Sequence, residues 1–217
     1  NQYQDVSLSP NEVTVLKDLE VLINKKIPVV SKVDHNKMGV VIKDNHAIAL
    51  RIEHVTLEKL PPSIEALAHL KKLEIVEASL KSLPDNIGNL KLLEVLMIDS
   101  NQLDHLPASL AQLSQLKELW LDNNNFSTIP AFVKNLTALE VLGLRYNPLE
   151  TLPVSIADLS NLKELIILED QVDLIPASFR EKAGLKILVM EKLEDSADTK
   201  DKKKDHKRAH SLLNPFD

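Results

Sequence analysis

Six Leu-Pro or Ile-Pro pairs recur in this chain at one fixed spacing: Leu60-Pro61, Leu83-Pro84, Leu106-Pro107, Ile129-Pro130, Leu152-Pro153 and Ile175-Pro176. Every step between them is 23 residues. An ordinary globular domain does not keep such a register for more than a hundred residues. A fixed period in this range marks a solenoid, in which a unit buries its apolar face only against its neighbours.

The unit Leu93, Leu96, Ile98, Asn101, Leu103, Leu106, Pro107, Leu110, Leu113 repeats as Leu116, Leu119, Leu121, Asn124, Phe126, Ile129, Pro130, Val133, Leu136. It repeats again as Leu139, Leu142, Leu144, Asn147, Leu149, Leu152, Pro153, Ile156, Leu159. The L-x-L stretch alternates with period two, which predicts a short strand with one buried face. The stretch after each proline steps by three, which predicts a helical or 3₁₀ turn with one buried edge, opened by a residue whose missing N–H costs nothing there. Asn101, Asn124 and Asn147 are expected to form a structural ladder, each amide satisfying backbone groups at the turn after its strand. Val55, Ala78 and Asp170 take that slot elsewhere, so those turns are expected to be looser or differently bonded.

The pattern L-x-x-L-x-L-x-x-N-x-L-x-x-L-P, nearly intact from Leu93 through Pro153, resembles the leucine-rich repeat, in particular its 23-residue intracellular Leu-Pro class. The resemblance spans residues 47 to 193. It implies an α/β fold: a curved horseshoe segment of solenoid with a concave parallel β-sheet, and no reaction of its own. The repeat class is similar to the Ras-suppressor and plant Ras-group-related proteins, which implies scaffolding in signalling and a small GTPase or another signalling protein as partner.

A solenoid needs capped ends. Ser9-Pro10-Asn11-Glu12 has the capping-box form, with Pro at the first helical position, and Val13, Leu16, Leu19, Leu22 and Ile23 give an apolar helix face. Residues 27–33 read as extended. Val40 to Ile42, a turn at Lys43 to His46, and Ile48 to Ile52 read as a hairpin sealing the sheet edge. This leader is similar to that of some archaeal leucine-rich repeat proteins. At the other end Phe179 keeps the apolar slot, Lys182 replaces the next leucine as an expected water-facing cap, and Leu185, Leu188 and Met190 read as a terminal strand. The expected organisation is a helix-and-hairpin cap over 1–46, six repeats and a terminal strand over 47–193, and a polar, disorder-prone tail over 194–217.

Chemistry has little to build on. The chain has no cysteine, and its four glycines are isolated, so no phosphate-binding loop forms. No nucleophile elbow and no H-E-x-x-H occurs. His206 and His210 have metal-compatible spacing but lie in the polar tail. The reading is therefore a non-enzyme with no cofactor and no metal. A net charge of −6 with mixed signs argues against a nucleic-acid face. No run of 18 apolar residues is present to span a membrane. Repeat proteins outside the cell commonly close their ends with disulfides, so the absence of cysteine favours the cytoplasm. Asn125-Phe126-Ser127 and Asn135-Leu136-Thr137 fit the glycosylation pattern, and Asn214-Pro215-Phe216 resembles a peptide bound by EH domains.

The outward strand positions carry the functional reading. The residue between the two strand leucines runs Arg51, Glu74, Met97, Trp120, Gly143, Ile166, Val189, and a second column runs Glu53, Val76, Asp99, Asp122, Arg145, Leu168, Glu191. Ser100, Asn123 and Tyr146 lie beside it. Aromatics are only 3% of the chain, yet the single tryptophan falls here. An apolar row ringed by polar groups is the form of a binding hot spot. Met97, Asp99, Trp120, Asp122, Asn123, Arg145, Tyr146, Ile166, Leu168 and Val189 are the expected contact residues for a protein partner on a monomeric scaffold. Two other assignments are open: a recognition arm of a larger kinase, ubiquitin ligase or GTPase, and a receptor ectodomain.

Overall fold

In a computed structural model the chain is described over residues 2–34 and 37–191. Among these, eight strands form one sheet: β3 (Gly39–Lys43), β4 (His46–Glu53), β5 (Lys72–Val76), β6 (Val95–Met97), β7 (Glu118–Trp120), β8 (Val141–Gly143), β9 (Glu164–Leu168) and β10 (Lys186–Met190). Their spatial order is their chain order. β3 and β4 pair antiparallel, and every later pair is parallel. Before them come a two-strand hairpin, β1 (Gln2–Tyr3) with β2 (Val6–Ser7), and the helix α1 (Pro10–Ile23). This is the repeat solenoid with a helix-and-hairpin cap.

Opposite the sheet, 3₁₀ turns at Pro62–Ala66, Asp85–Asn89, Ala108–Gln112, Ala131–Asn135 and Val154–Asp158 form the convex edge. Each follows the repeat proline, whose carbonyl accepts the N–H three residues on, as in Leu110 to Pro107 at 3.0 Å. The proline holds φ near −65°, so the chain enters the turn already restricted. Between sheet and turns the leucine layers are sealed: Leu73, Leu96, Leu119, Leu142 and Leu165 are all 0% exposed, as are Leu90, Leu113 and Leu136. Removing one such side chain to Ala costs about 2–5 kcal/mol.

The asparagine ladder works backwards along the chain. Asn124 Oδ1 accepts the Leu103 N–H at 3.0 Å, and its Nδ2 donates to the Ile98 carbonyl at 2.8 Å, both in the preceding unit. Asn147 does the same for Phe126 and Leu121. Asn101 accepts from both Ala78 and Leu80 and donates to Ile75, so the unit that lacks its own asparagine is secured by the next one. One unit earlier the side chain is replaced by backbone, Leu57 N–H to the Ala78 carbonyl at 2.7 Å. At the far end it is Gln171 and not Asp170 that fills the slot: it is 4% exposed, accepts the Leu168 N–H and donates to the Asn147 carbonyl. The residue preceding the slot is left-handed in five successive units, at His54, Glu77, Ser100, Asn123 and Tyr146. That turn is therefore one backbone shape reused.

Three local expectations change. Ser9 makes no side-chain cap bond to the helix backbone. Its hydroxyl donates to Glu12, and Glu12, 1% exposed, accepts the Ala47 N–H at 3.1 Å, so the carboxylate ties α1 to the hairpin. Lys182 does not face water freely: its ammonium donates to the Ala157 and Leu159 carbonyls, closing the last turn. β10 is slipped by one residue relative to the 23-residue register: Leu188 lies beside Ile166 and Val189 beside Ile167. The cause is the final turn, α2 (Ala177–Arg180), which is α and not 3₁₀, with Arg180 N–H bonded to the Pro176 carbonyl. Only ten residues separate Pro176 from Lys186, against eleven from Pro153 to Glu164. A slip of one residue turns every side chain to the other face. The tail over 194–217, with His206, His210 and Asn214-Pro215-Phe216, lies outside the described residues. No helix among the described residues is long and apolar enough to cross a membrane.

The ladder yields a stability prediction. Asn124→Ala leaves the Leu103 N–H buried without its acceptor and removes one of the two amide donors to the Ile98 carbonyl, at a cost of about 1–3 kcal/mol. The exposed neighbour substitution Asn125→Ala should stay within about 0.5 kcal/mol. Urea denaturation of both variants checks the difference.

Candidate protein-docking face

The parallel register puts Glu74, Met97, Trp120, Gly143, Ile166 and Leu188 in one outward row across β5–β10. Arg51 joins it from β4. Of the expected contact residues, Met97, Trp120 and Ile166 share this row. Asp99, Asp122 and Arg145 follow it at the strand ends, linked by the Asp122 N–H donating to the Asp99 carboxylate and the Arg145 N–H donating to the Asp122 carboxylate. Leu168 falls beside Met190. Val189 is corrected: it stands on the opposite face, 44% exposed, and Leu188 and Met190 take the outward places. Asn123 and Tyr146 are half-buried at the left-handed turn positions.

The row is a second apolar cluster, separate from the leucine core. It comprises Val76, Met97, Trp120 and Ile166, with Val141, Leu188 and Met190 packed against it. The indole packs closely against Gly143: a Cβ built there would sit 2.7 Å from Trp120 Cε3 and 3.1 Å from Asp122 Oδ1. Glycine thus leaves the room that the ring occupies beside the next strand. The indole N–H donates to Glu118 Oε2 at 2.9 Å.

The polar side of the face is built with equal care. Asp99 Oδ1 accepts the Asp122 N–H at 2.8 Å, and Asp122 Oδ1 accepts the Arg145 N–H at 2.7 Å, a carboxylate ladder beside the asparagine one. The Arg145 guanidinium closes on Asp122 Oδ2 at 2.7 Å, and both side chains are 0% exposed. At the other end Arg51 bridges Glu53 at 2.7 Å and Glu74 at 2.5 Å. Burial works to raise the Glu74 pKa, but Lys72 and Arg51 beside the carboxylate outweigh it and hold the group below its usual 4.5.

The face was expected to meet solvent, and it does not. Trp120 is 1% exposed, Met97 4%, and Asp99, Asp122, Arg145 and Ile166 0%. Strand alternation tells which face a side chain takes; it does not tell what lies over that face.

One polar cluster escaped the sequence reading. Glu12, His46 and His69 gather at the cap, with possible ligand atoms within 4.8 Å of one another. The two histidines are one repeat length apart, which was the available signal. Their rings stack at 3.6 Å with 23° between planes, and His46 Nδ1 lies 3.2 Å from Glu12 Oε2. Stacked rings direct their lone pairs side by side and not toward one point, and the Glu12 oxygens already serve Ser9, Ala47 and His46. The cluster joins cap to first repeat.

Two predictions follow from the packing of the row. Gly143→Ala forces the indole off its seat and should destabilise the fold by about 1–3 kcal/mol, measured by thermal unfolding. Glu74, with its lowered folded pKa, contributes stability that is present above its usual 4.5 and lost as pH falls through the folded value. The Glu74→Gln chain should therefore be less stable than the parent at pH 7 and lose less on acidification, as read by urea midpoints across that range.

The leucine-rich repeat region family matches residues 51–195. No curated protein matches the chain. Among solved structures, a leucine-rich repeat protein of Leptospira interrogans is similar at 33% identity and a TM-score of 0.55, over 64% of this chain and 36% of that one. The chain thus spans about a third of that protein's length. The leucine-rich repeat ectodomain of the receptor kinase SOBIR1 from Arabidopsis thaliana is similar in fold at 21% identity and a TM-score of 0.57, over 85% of this chain and 97% of that one. An internalin of Listeria monocytogenes is similar at 22% identity and a TM-score of 0.53, over 68% and 43%. With the family matched over most of its length and its stacked turns and parallel sheet in place, this chain belongs to the leucine-rich repeat family.

Proposed function

We propose that this protein is a non-catalytic interaction module that binds a partner protein on its concave face, as a scaffold in cytoplasmic signalling. One observation carries the reading: a second apolar row, centred on the only tryptophan, sits on the side of the sheet that the solenoid does not need for its own core. The leucine layers close without it. Large apolar side chains framed by Asp99, Asp122 and Arg145 suit a docking hot spot, where a tryptophan is often worth about 2 kcal/mol or more. The repeat class it resembles and the cysteine-free chain support a signalling partner, such as a small GTPase, and a reducing compartment. The half-buried Asn123 and Tyr146 at the rim are what a partner meets first, and Trp120, Met97 and Ile166 form the seat behind them.

Capture from native lysate on the immobilised chain tests this. Proteins recovered by the parent should be lost about tenfold or more from Tyr146→Ala and Asn123→Lys chains that keep the parental circular dichroism, as removal of about 1.4 kcal/mol requires. The convex substitution Lys134→Glu should leave them unchanged. Equal recovery on all chains would remove the concave face from the function.

A further inference from the structure

The outward side of the sheet carries another row, one alternation before the Trp120 row. It runs Lys72, Val95, Glu118, Val141, Glu164 and Lys186 across β5–β10, each beside the next in the parallel register. The slip of β10 puts Lys186, and not Ile187, at its end. This row reaches solvent: Lys72, Val95, Glu118, Val141 and Glu164 are half-buried and Lys186 is exposed. Its four middle residues alternate apolar, acidic, apolar, acidic.

Charge sets the two acids apart from the others on the face. Glu53, Glu74 and Asp122 each meet an arginine. Among the described residues Glu118 and Glu164 meet no cation at ion-pair distance. The lysines next to them in the chain are held elsewhere, Lys117 by Glu94 at 2.7 Å and Lys163 by Glu140 at 2.6 Å. Lys186 stands beside Glu164 in the register and makes no ion pair with it. Glu118 is fixed in place by the indole N–H that donates to its Oε2. Glu164 Oε2 is buried and accepts no hydrogen bond among the described residues. Such an acceptor is uncommon, and an arriving cation would satisfy it.

We propose that this row receives an amphipathic α-helix of the partner, laid across the strands, with basic residues on Glu118 and Glu164 and apolar residues on Val95 and Val141. The inference rests on the docking function proposed above and names the chemistry of what docks. Spacing selects a helix. Neighbouring strands lie about 4.8 Å apart, so the sites after Val95 follow at about 4.8, 9.6 and 14.4 Å. Helix residues i, i+3, i+7 and i+10 share one face and rise by about 4.5, 10.5 and 15 Å, within about 1 Å of those sites. An extended segment presents one face only every second residue, about 6.7 Å, and is about 6 Å out of step at the fourth site. Val141 packs against the Trp120 cluster, so an apolar residue placed on it continues that layer. The two carboxylates between the valines require positive charge at alternate contacts.

Fluorescence anisotropy on the full chain with a labelled synthetic peptide tests this. The probe is a helix of about 18 residues on an alanine and glutamine background, with Leu at i and i+7 and Arg at i+3 and i+10. It should bind saturably, and added salt should weaken it. Glu118→Gln with Glu164→Gln, which keeps an acceptor for the indole N–H, should weaken binding by about tenfold or more. So should three changes in the peptide: Glu for both Arg, the same residues in scrambled order, and a proline-interrupted version that stays extended. Glu118→Lys with Glu164→Lys should reverse the preference and favour the Glu peptide. Circular dichroism identifies any variant that loses the fold. Should one do so, the control peptides on the parent chain decide. Absence of saturable binding, or undiminished affinity in the folded Gln pair, would overturn the proposal. Equal binding of the scrambled peptide would overturn it in favour of diffuse charge attraction, and equal binding of the interrupted peptide in favour of an extended occupant. Failure here leaves the lysate capture on the Tyr146 and Asn123 chains intact. Capture indifferent to those substitutions leaves the peptide titration intact.

Discussion

The structure depends on one constraint: no unit of the stack can satisfy itself. The apolar layer of each unit is closed by its neighbours, and the backbone groups of its turn are bonded by a side chain that arrives from the next unit. Asn124 illustrates both halves, since its amide reaches back to Ile98 and Leu103 while its own strand pairs with β6 and β8. Stability is then close to a sum of nearest-neighbour terms along one axis. The caps follow from the same constraint. Glu12 binds the helix to the hairpin at one end, and Gln171 and Lys182 bind the last carbonyls at the other.

The concave side shows what the constraint leaves over. With the leucine layers closed, its outward positions are available for something else. They are filled by a tryptophan packed against a glycine, two carboxylates that cap the next strand's N–H groups, and an arginine sealed against one of them. Buried ion pairs are an indirect route to stability, since their desolvation costs about as much as their attraction returns. An exposed polar row would have served the stack equally well. The face is therefore a second packed layer, separate from the leucine core.

Much of this was legible in the repeat. Period-two alternation placed Leu96, Leu119 and Leu142 in the core, and the proline spacing placed the convex turns. The slot at Asn101, Asn124 and Asn147 was readable because an amide both donates and accepts at a fixed offset. What was not legible lay where a short-range choice changed the count or the direction. The α turn at α2 shortens the last unit by one residue and sends Val189 to the other face. Gln171 reaches the slot with one more methylene from the next position, so spacing alone pointed to Asp170. Ser9 and Glu12 have the form of a helix cap, but the hairpin offered Glu12 a buried N–H at Ala47. Most of all, alternation assigns Trp120 to a face and is silent on how deeply that face is buried.

The central claim is that the outward row is a packed and bonded layer with the status of a core. Amide hydrogen exchange by nuclear magnetic resonance on the full chain addresses it most directly, at the Asp122 and Arg145 amides that donate to the carboxylates of Asp99 and Asp122. These two protons should exchange as slowly as those of Leu119 and Leu142 in the leucine strands, in step with global unfolding. Exchange at the rate of exposed turns, with Leu119 and Leu142 still protected, would contradict the account.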